Sequence, residues 1–150
     1  MPESVGGVPI HPLVVHAVVV LVPLAALGLI AIALVPRWRH RFGSLVVAAA
    51  VVATALVPVA TQSGETLEDL VAETPEVERH SELGEVMLYF AIPLLVMSLL
   101  LWWFGRRTER GAGVPRWLGV LVPLVAIVVA LAAVVQIILV GHSGAESVWG

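Results

Sequence analysis

Histidine is the residue type in this chain with the widest scope for chemistry, because the sequence has five histidines and no cysteine. A neutral imidazole can bind a metal ion or haem iron, and it can carry protons near neutral pH. The lack of cysteine excludes disulfides, iron–sulfur clusters and covalent c-type haem attachment to this chain. Hydrolase chemistry is not indicated, since no serine lies in a recognisable motif with a histidine and a carboxylate.

His16 is the most informative of the five histidines, because its neighbours in the sequence are apolar. Pro12 is typical of a first helical position, which puts His16 roughly 6 Å into the helix that follows. An imidazole among apolar side chains needs a hydrogen-bond partner, a metal or a cofactor, because an unsatisfied polar group in hydrocarbon is costly. His11 is about 140° away around the same helix, so at most one of the two points straight into a bundle.

The remaining histidines differ in their surroundings. His80 precedes an apolar segment, and Gly84 follows on the same helix face. The glycine leaves a flat gap that a planar macrocycle needs and that close helix packing would also use. His142 lies between Gly141 and the Ser-Gly pair that follows, and these glycines allow a sharp turn and close approach of a ligand. His40 lies among arginines and is interpreted as part of a solvated basic loop.

The elements that position these histidines are predicted to be four transmembrane helices. Apolar residues make up 59% of the 150 positions and charged residues only 13%, and the mean hydropathy of +1.01 is far above that of soluble proteins. Each apolar segment is close to the roughly 20 residues that cross a bilayer as a helix. The sequence therefore predicts an all-α membrane protein, a single four-helix bundle with helices at about 12–35, 44–62, 76–104 and 117–141.

The charges predict how this bundle is oriented. Seven of the eight arginines lie in the first and third connections, which makes those connections cytoplasmic, and ten of the eleven acidic residues lie in the other segments. Both termini are then extracytoplasmic, and four of the five histidines lie near the outer end of the bundle. Met1 to Ser4 precede the first apolar segment without a basic residue, which is not typical of a secretory signal peptide, so we expect the first helix to be retained.

Four short motifs at the helix ends resemble one family of bacterial membrane proteins. They are His11-Pro12-Leu13-Val14-Val15-His16, Ser63-Gly64-Glu65, His80 with Gly84, and Gly141-His142-Ser143-Gly144. Together they cover nearly the whole chain, which resembles the proteins catalogued as domain of unknown function 2231. Similar domains occur joined to Rieske-type or c-type cytochrome domains. The resemblance implies, by association, a place in electron transfer in the bacterial cytoplasmic membrane.

Three hypotheses fit these residues. The leading one is a b-type haem held at the outer end by two imidazoles from different helices, with electrons exchanged with an extracytoplasmic redox protein or respiratory complex. His16 and His80 are the favoured pair, with His11 and His142 as substitutes or as hydrogen-bond partners of the propionates. The depths of the two histidines in the membrane argue against this pair. His80 precedes its apolar segment by about 9 Å along the helix, whereas His16 lies within the first apolar segment.

The other two hypotheses use the same side chains differently. A non-haem site would bind zinc, copper or iron through His16 and His80 together with carboxylates such as Glu65, Glu82 or Glu85. In a scaffold without a cofactor, the histidines would cap helix ends and bond to carboxylates within a larger membrane complex or a homo-oligomer. The residues favour an electron-transfer or accessory subunit over a stand-alone enzyme. Nucleic-acid binding is disfavoured, because the basic residues flank the membrane and the net charge is −3.

Overall fold

The computed structural model describes residues 4–5, 8–68 and 74–149, with side chains for residues 11–66 and 74–147. Five helices account for nearly all of it: α1 (Ile10–Leu34), α2 (Trp38–Glu68), α3 (Pro75–Glu85), α4 (Leu88–Glu109) and α5 (Arg116–Trp149). Ahead of α1, the two-residue strands β1 (Ser4–Val5) and β2 (Val8–Pro9) pair antiparallel. Asp69 and Glu73 of the second connection lie outside the described residues, as does the side chain of Trp149.

Four stretches of the described chain are long and apolar enough to cross a membrane, with α3 and α4 together forming the third. The spans are His11–Leu34, Trp38–Thr66, Pro75–Glu109 and Arg116–Ser147. In the bundle, α1 packs against α2 and α5, and α4 packs against the same two helices from the opposite side. The four spans therefore form a ring in the order α1, α2, α4, α5, and α3 continues the third span along α5.

The helix boundaries follow from local chemistry. Pro36 lies in the tight turn after α1, and α2 starts at Trp38, so Arg39, His40 and Arg41 lie in its first turn rather than in the loop expected from sequence. Thr74 caps α3 by accepting a hydrogen bond from the Val77 amide, and Pro75 occupies the first helical position. Glycine is needed where α4 gives way to the third connection, because Gly111 adopts a φ of +72°.

The core is built mainly from small residues. Eight alanines from α1, α2, α4 and α5 are at most 1% exposed, and they let the helix backbones approach closely. They are Ala25, Ala26, Ala50, Ala53, Ala91, Ala126, Ala130 and Ala133. Leu29, Leu94 and Leu101 fill the space between them and are fully buried. Close approach of four helices gives a dry interior in which any polar group needs a partner.

The two ends of the bundle differ in their charged side chains. The arginine end holds the start of α2, the end of α4 and the start of α5. There, Arg39 is only 9% exposed, and its guanidinium donates to the carbonyl oxygens of Ile32 at 2.9 Å and Ala33 at 3.1 Å. These bonds satisfy carbonyls that the end of α1 leaves without helical partners. The histidine end is the opposite one, where α1 and α3 begin and where α2 and α5 end.

Candidate functional site

His11 is held at the histidine end by two groups from α2. Its Nδ1 lies 3.1 Å from the carbonyl oxygen of Ala60 and 3.1 Å from the hydroxyl oxygen of Ser63. A carbonyl oxygen can only accept a hydrogen bond, and the Ser63 hydroxyl already donates to Ala60 at 2.9 Å. Nδ1 of His11 therefore carries the proton, and the lone pair of the neutral ring is on Nε2.

His80 has a matching arrangement with α5. Its Nδ1 lies 3.1 Å from the hydroxyl oxygen of Ser143, and this hydroxyl donates to the carbonyl of Val140 at 3.0 Å. With its one hydrogen used in this way, Ser143 accepts from the imidazole. In this bonding pattern Nδ1 of His80 is the donor, and the lone pair of the ring is on Nε2.

A glycine lies beside each imidazole. A Cβ added to Gly64 would lie 3.1 Å from Cε1 of His11, and one added to Gly144 would lie 3.0 Å from Cε1 of His80. The glycines allow each ring to lie against the backbone of the neighbouring helix, which limits how far the ring can turn. The two imidazoles face each other across the bundle with ring centres 6.5 Å apart and planes at 82°.

The two rings open onto a cavity of about 710 Å³ at the histidine end. Its walls are mostly apolar and come from α1, α2, α3 and α5, with His11, His16 and His80 among the lining side chains. Among the described side chains, no buried nitrogen or oxygen lacks a hydrogen-bond partner. In the described structure no hydrogen bond is found for the Nε2 atom of His11 or of His80, and both imidazoles line this cavity. The volume is within the range of small-molecule and cofactor sites.

The profile of one protein family, described as "Predicted membrane protein (DUF2231)", matches residues 7–150 of this chain. The chain belongs to this family. Together with the four long apolar helices, membership establishes a membrane-embedded protein. No curated protein and no solved structure matches the chain. The DUF2231 match spans all four long helices and both histidine–serine pairs, so the site lies within the matched region.

The structure separates the histidines that sequence reasoning grouped together. His16 lies on the cavity wall with its Nδ1 bonded to the carbonyl of Pro12 in its own helix. His142 is 70% exposed, and its Nε2 is 3.4 Å from a carboxylate oxygen of Glu146. Gly84 lines the cavity with open space where a side chain would lie. His11 and His80 are thus brought together edge to face, whereas His16 lies elsewhere on the cavity wall and His142 is exposed.

Two features of the site were missed by sequence reasoning. Ser63 and Ser143 contact the imidazoles, and Gly64 and Gly144 make room for them. From sequence, Gly144 was expected to allow a sharp turn and the approach of a ligand at His142, and the other three residues were noted only as parts of short motifs. The signal that could have found them is the Ser-Gly pair repeated near the C-terminal ends of α2 and α5, at the histidine end of the bundle. Each pair contacts a histidine near the start of the preceding span, so two helical hairpins contribute similar half-sites.

A further contact holds the second half-site in place. Gln136 of α5 is 6% exposed, and its side-chain amide donates to the carbonyl oxygen of Leu83 at 2.9 Å. That carbonyl lies in the last turn of α3, next to the break at residues 86–87 where the helical bonding changes. The bond satisfies a carbonyl near a helix end and ties α3, with His80, to the helix that carries Ser143.

Proposed function

We propose that this protein is a b-type haem protein of the bacterial cytoplasmic membrane, with His11 and His80 as the axial ligands. The observation that carries the proposal is the pair of imidazoles on the cavity wall, with ring centres 6.5 Å apart and Nδ1 of each bonded to a serine of a neighbouring helix. A ligating histidine characteristically donates its other ring N–H to a fixed acceptor, and an oxygen able to accept lies 3.1 Å from Nδ1 of each ring. When bound, the haem would supply a one-electron redox centre near one membrane surface.

The spacing of the imidazoles supports this proposal. Two imidazoles on opposite sides of one metal ion have ring centres about 6.2 Å apart, because each metal–nitrogen bond is about 2 Å and Nε2 lies about 1.1 Å from the ring centre. The centres of His11 and His80 are 6.5 Å apart. The separation of the two ring centres is therefore close to that of two ligands of one ion.

The number of protein ligands also favours haem over a bare metal ion. In the described part of the chain, no three histidine, cysteine, aspartate or glutamate side chains form a group able to hold a metal. Structural and catalytic zinc sites use at least three protein ligands. Haem iron has four ligands from the macrocycle and needs only two from the protein, which is the number that this site offers.

The proposal is tested by absorption spectra of the protein purified in detergent from its native membrane, first oxidised and then reduced. We expect a Soret band and the sharp reduced bands of a low-spin haem with two imidazole ligands, at about one haem per chain. A bound metal without a Soret band, measured by elemental analysis, would favour the zinc, copper or iron alternative. A preparation with neither haem nor metal would refute both and support the cofactor-free scaffold.

The proposal also includes an orientation, with the histidine end and both termini outside the cytoplasm. Seven arginines lie at the opposite end and only Arg79 lies at this one. Basic residues are enriched in the cytoplasmic connections of membrane proteins, so the arginine end is assigned to the cytoplasm. We expect a tag at either terminus to be accessible only from outside the cytoplasm. A tag between Arg107 and Gly111 should be accessible only from the cytoplasm, and its protection in inside-out vesicles would reverse the orientation.

The proposed electron partner is an extracytoplasmic redox protein with a basic docking surface. Carboxylates concentrate at the histidine end, and they include Glu76, Glu78 and Glu82 of α3. Such a surface attracts a basic partner, and salt screens the attraction. We expect the rate of electron exchange with a basic soluble cytochrome to fall as ionic strength rises. A rate independent of salt would show that docking does not use these charges.

A further inference from the structure

The two serines of the site share one local geometry in different hairpins. Ser63 and Ser143 each donate a hydrogen bond to the carbonyl three residues earlier in their own helix, at 2.9 and 3.0 Å. Each accepts from the Nδ1 of a histidine in the preceding span, at 3.1 Å in both cases. A hydroxyl that donates along its own helix presents only lone pairs to the imidazole, so it selects the Nδ1–H tautomer.

The two half-sites differ in one respect. Nδ1 of His11 has a second acceptor, the carbonyl oxygen of Ala60 at 3.1 Å, which does not depend on any side chain of α2. For Nδ1 of His80, Ser143 is the one acceptor found in the described structure. Loss of the hydroxyl therefore leaves His11 with an acceptor in place, whereas it leaves His80 free to turn or to move its proton to Nε2.

We propose that Ser143 is a positioning residue that fixes the His80 imidazole as the Nδ1–H tautomer with Nε2 toward the cavity, and that Ser63 is its weaker counterpart for His11. The consequence for haem rests on the proposed function, but the tautomer itself does not. An acceptor on Nδ1–H makes Nε2 more electron-rich, which strengthens binding to iron and stabilises its oxidised state. Ser143 thus both orients the ligand and lowers the midpoint potential.

The alternative is that these serines only satisfy their own helices, as hydroxyls in membrane helices often do. Ser147 is a matched control for this alternative. It lies one turn beyond Ser143 in α5, lines the same cavity and donates to Gly144 at 2.9 Å, three residues earlier. In the described structure it has no histidine partner, so Ser147→Ala removes the same kind of hydroxyl without touching an imidazole.

The first test is nitrogen NMR of the full-length, haem-free protein with labelled histidines. We expect His80 to be almost entirely the Nδ1–H form in the parent, in Ser147→Ala and in Ser143→Thr, which keeps a hydroxyl. Ser143→Ala should shift His80 substantially toward the Nε2–H form, and Ser63→Ala should change His11 much less. Equal tautomer populations for His80 in Ser143→Ala and the parent would overturn the proposal, whether or not the protein binds haem.

The second test uses the haem-bound protein. Ser143→Ala should lower haem affinity about tenfold or more, the usual effect of losing a partner behind a ligating histidine, and should raise the midpoint potential. Ser63→Ala should give a smaller shift in the same direction, and Ser147→Ala none. A parent without a Soret band would refute the haem proposal and leave the NMR result to decide the role of Ser143. Equal shifts in Ser143→Ala and Ser147→Ala would show a merely structural role.

Discussion

His80→Ala and His11→Ala are each expected to abolish the low-spin haem spectrum while the protein still inserts into the membrane. Each change removes one of the two imidazoles that face each other 6.5 Å apart. Loss of a partner behind a ligand already costs about 10- to 100-fold in affinity, so loss of the ligand itself should lower haem content by more than about tenfold. Haem content per chain and the reduced spectrum are the measurements.

The other three histidines provide the controls. His16→Ala should keep the low-spin spectrum, because His16 bonds to Pro12 of its own helix and lies on the cavity wall beside the facing pair. His40→Ala, at the arginine end, and exposed His142→Ala should leave the spectrum unchanged. Loss of the spectrum in His16→Ala with retention in His11→Ala would restore the pair favoured from sequence and refute the one proposed from the structure.

The sequence predicts the four-helix membrane bundle and the gathering of histidines at one end. Apolar segments of spanning length admit few alternatives in a bilayer, because every backbone polar group must be satisfied internally. The family was also identified from short motifs, and the match over residues 7–150 confirms it. These properties depend on segment length and composition, which a single sequence displays directly.

Which histidines face each other could not be predicted, for a physical reason. In a soluble helix, the apolar stripe shows which face is buried. Around α1 the side chains are apolar on all sides, because both the lipid and the bundle core accept them. The angle of about 140° between His11 and His16 is therefore known from helix geometry, but the rotation of α1 in the bundle is not.

The positions of the histidines along the bundle axis did indicate which pair could form. His80 precedes its apolar segment by about 9 Å, whereas His16 lies within the first apolar segment, and this mismatch argued against pairing them. His11 is five residues nearer the end of the bundle, or about 7.5 Å along the helix axis. The structure pairs His80 with His11, which removes most of the mismatch. The contacts of Ser63 and Ser143 depend on packing between helices, so no spacing within one helix could predict them.

The second large effect is expected at the arginine end, where Gly105→Ala should destabilise the bundle. Gly105 is buried in α4, and an added Cβ would lie 2.8 Å from Cβ of Arg39 and 2.9 Å from the Arg39 carbonyl carbon. The backbone nitrogen of His40 would also be 2.9 Å away. Two of these three contacts are with backbone atoms, so a change of side-chain rotamer cannot relieve them.

Arg39 cannot easily move away from the added methyl group, because its guanidinium is anchored to the carbonyls of Ile32 and Ala33 at the end of α1. Alanine gains about 1 kcal/mol over glycine in helix propensity, but overpacking typically costs about 1–3 kcal/mol. Because the added Cβ contacts backbone atoms, we expect the overpacking cost of Gly105→Ala to lie at the upper end of this range. The overpacking cost then exceeds the gain in helix propensity, and the bundle is destabilised. The expected result is a lower thermal unfolding midpoint in detergent, followed by circular dichroism.

Gly119→Ala is the matched control for this prediction. Gly119 lies in the first turns of α5, and an added Cβ would have no neighbouring atom within 4 Å. Only the propensity gain remains there, so the unfolding midpoint should stay the same or rise. If Gly105→Ala were as stable as Gly119→Ala, α2 and α4 would have to be free to separate at this point. The anchoring of α1 through Arg39 would then not constrain the arginine end of the bundle.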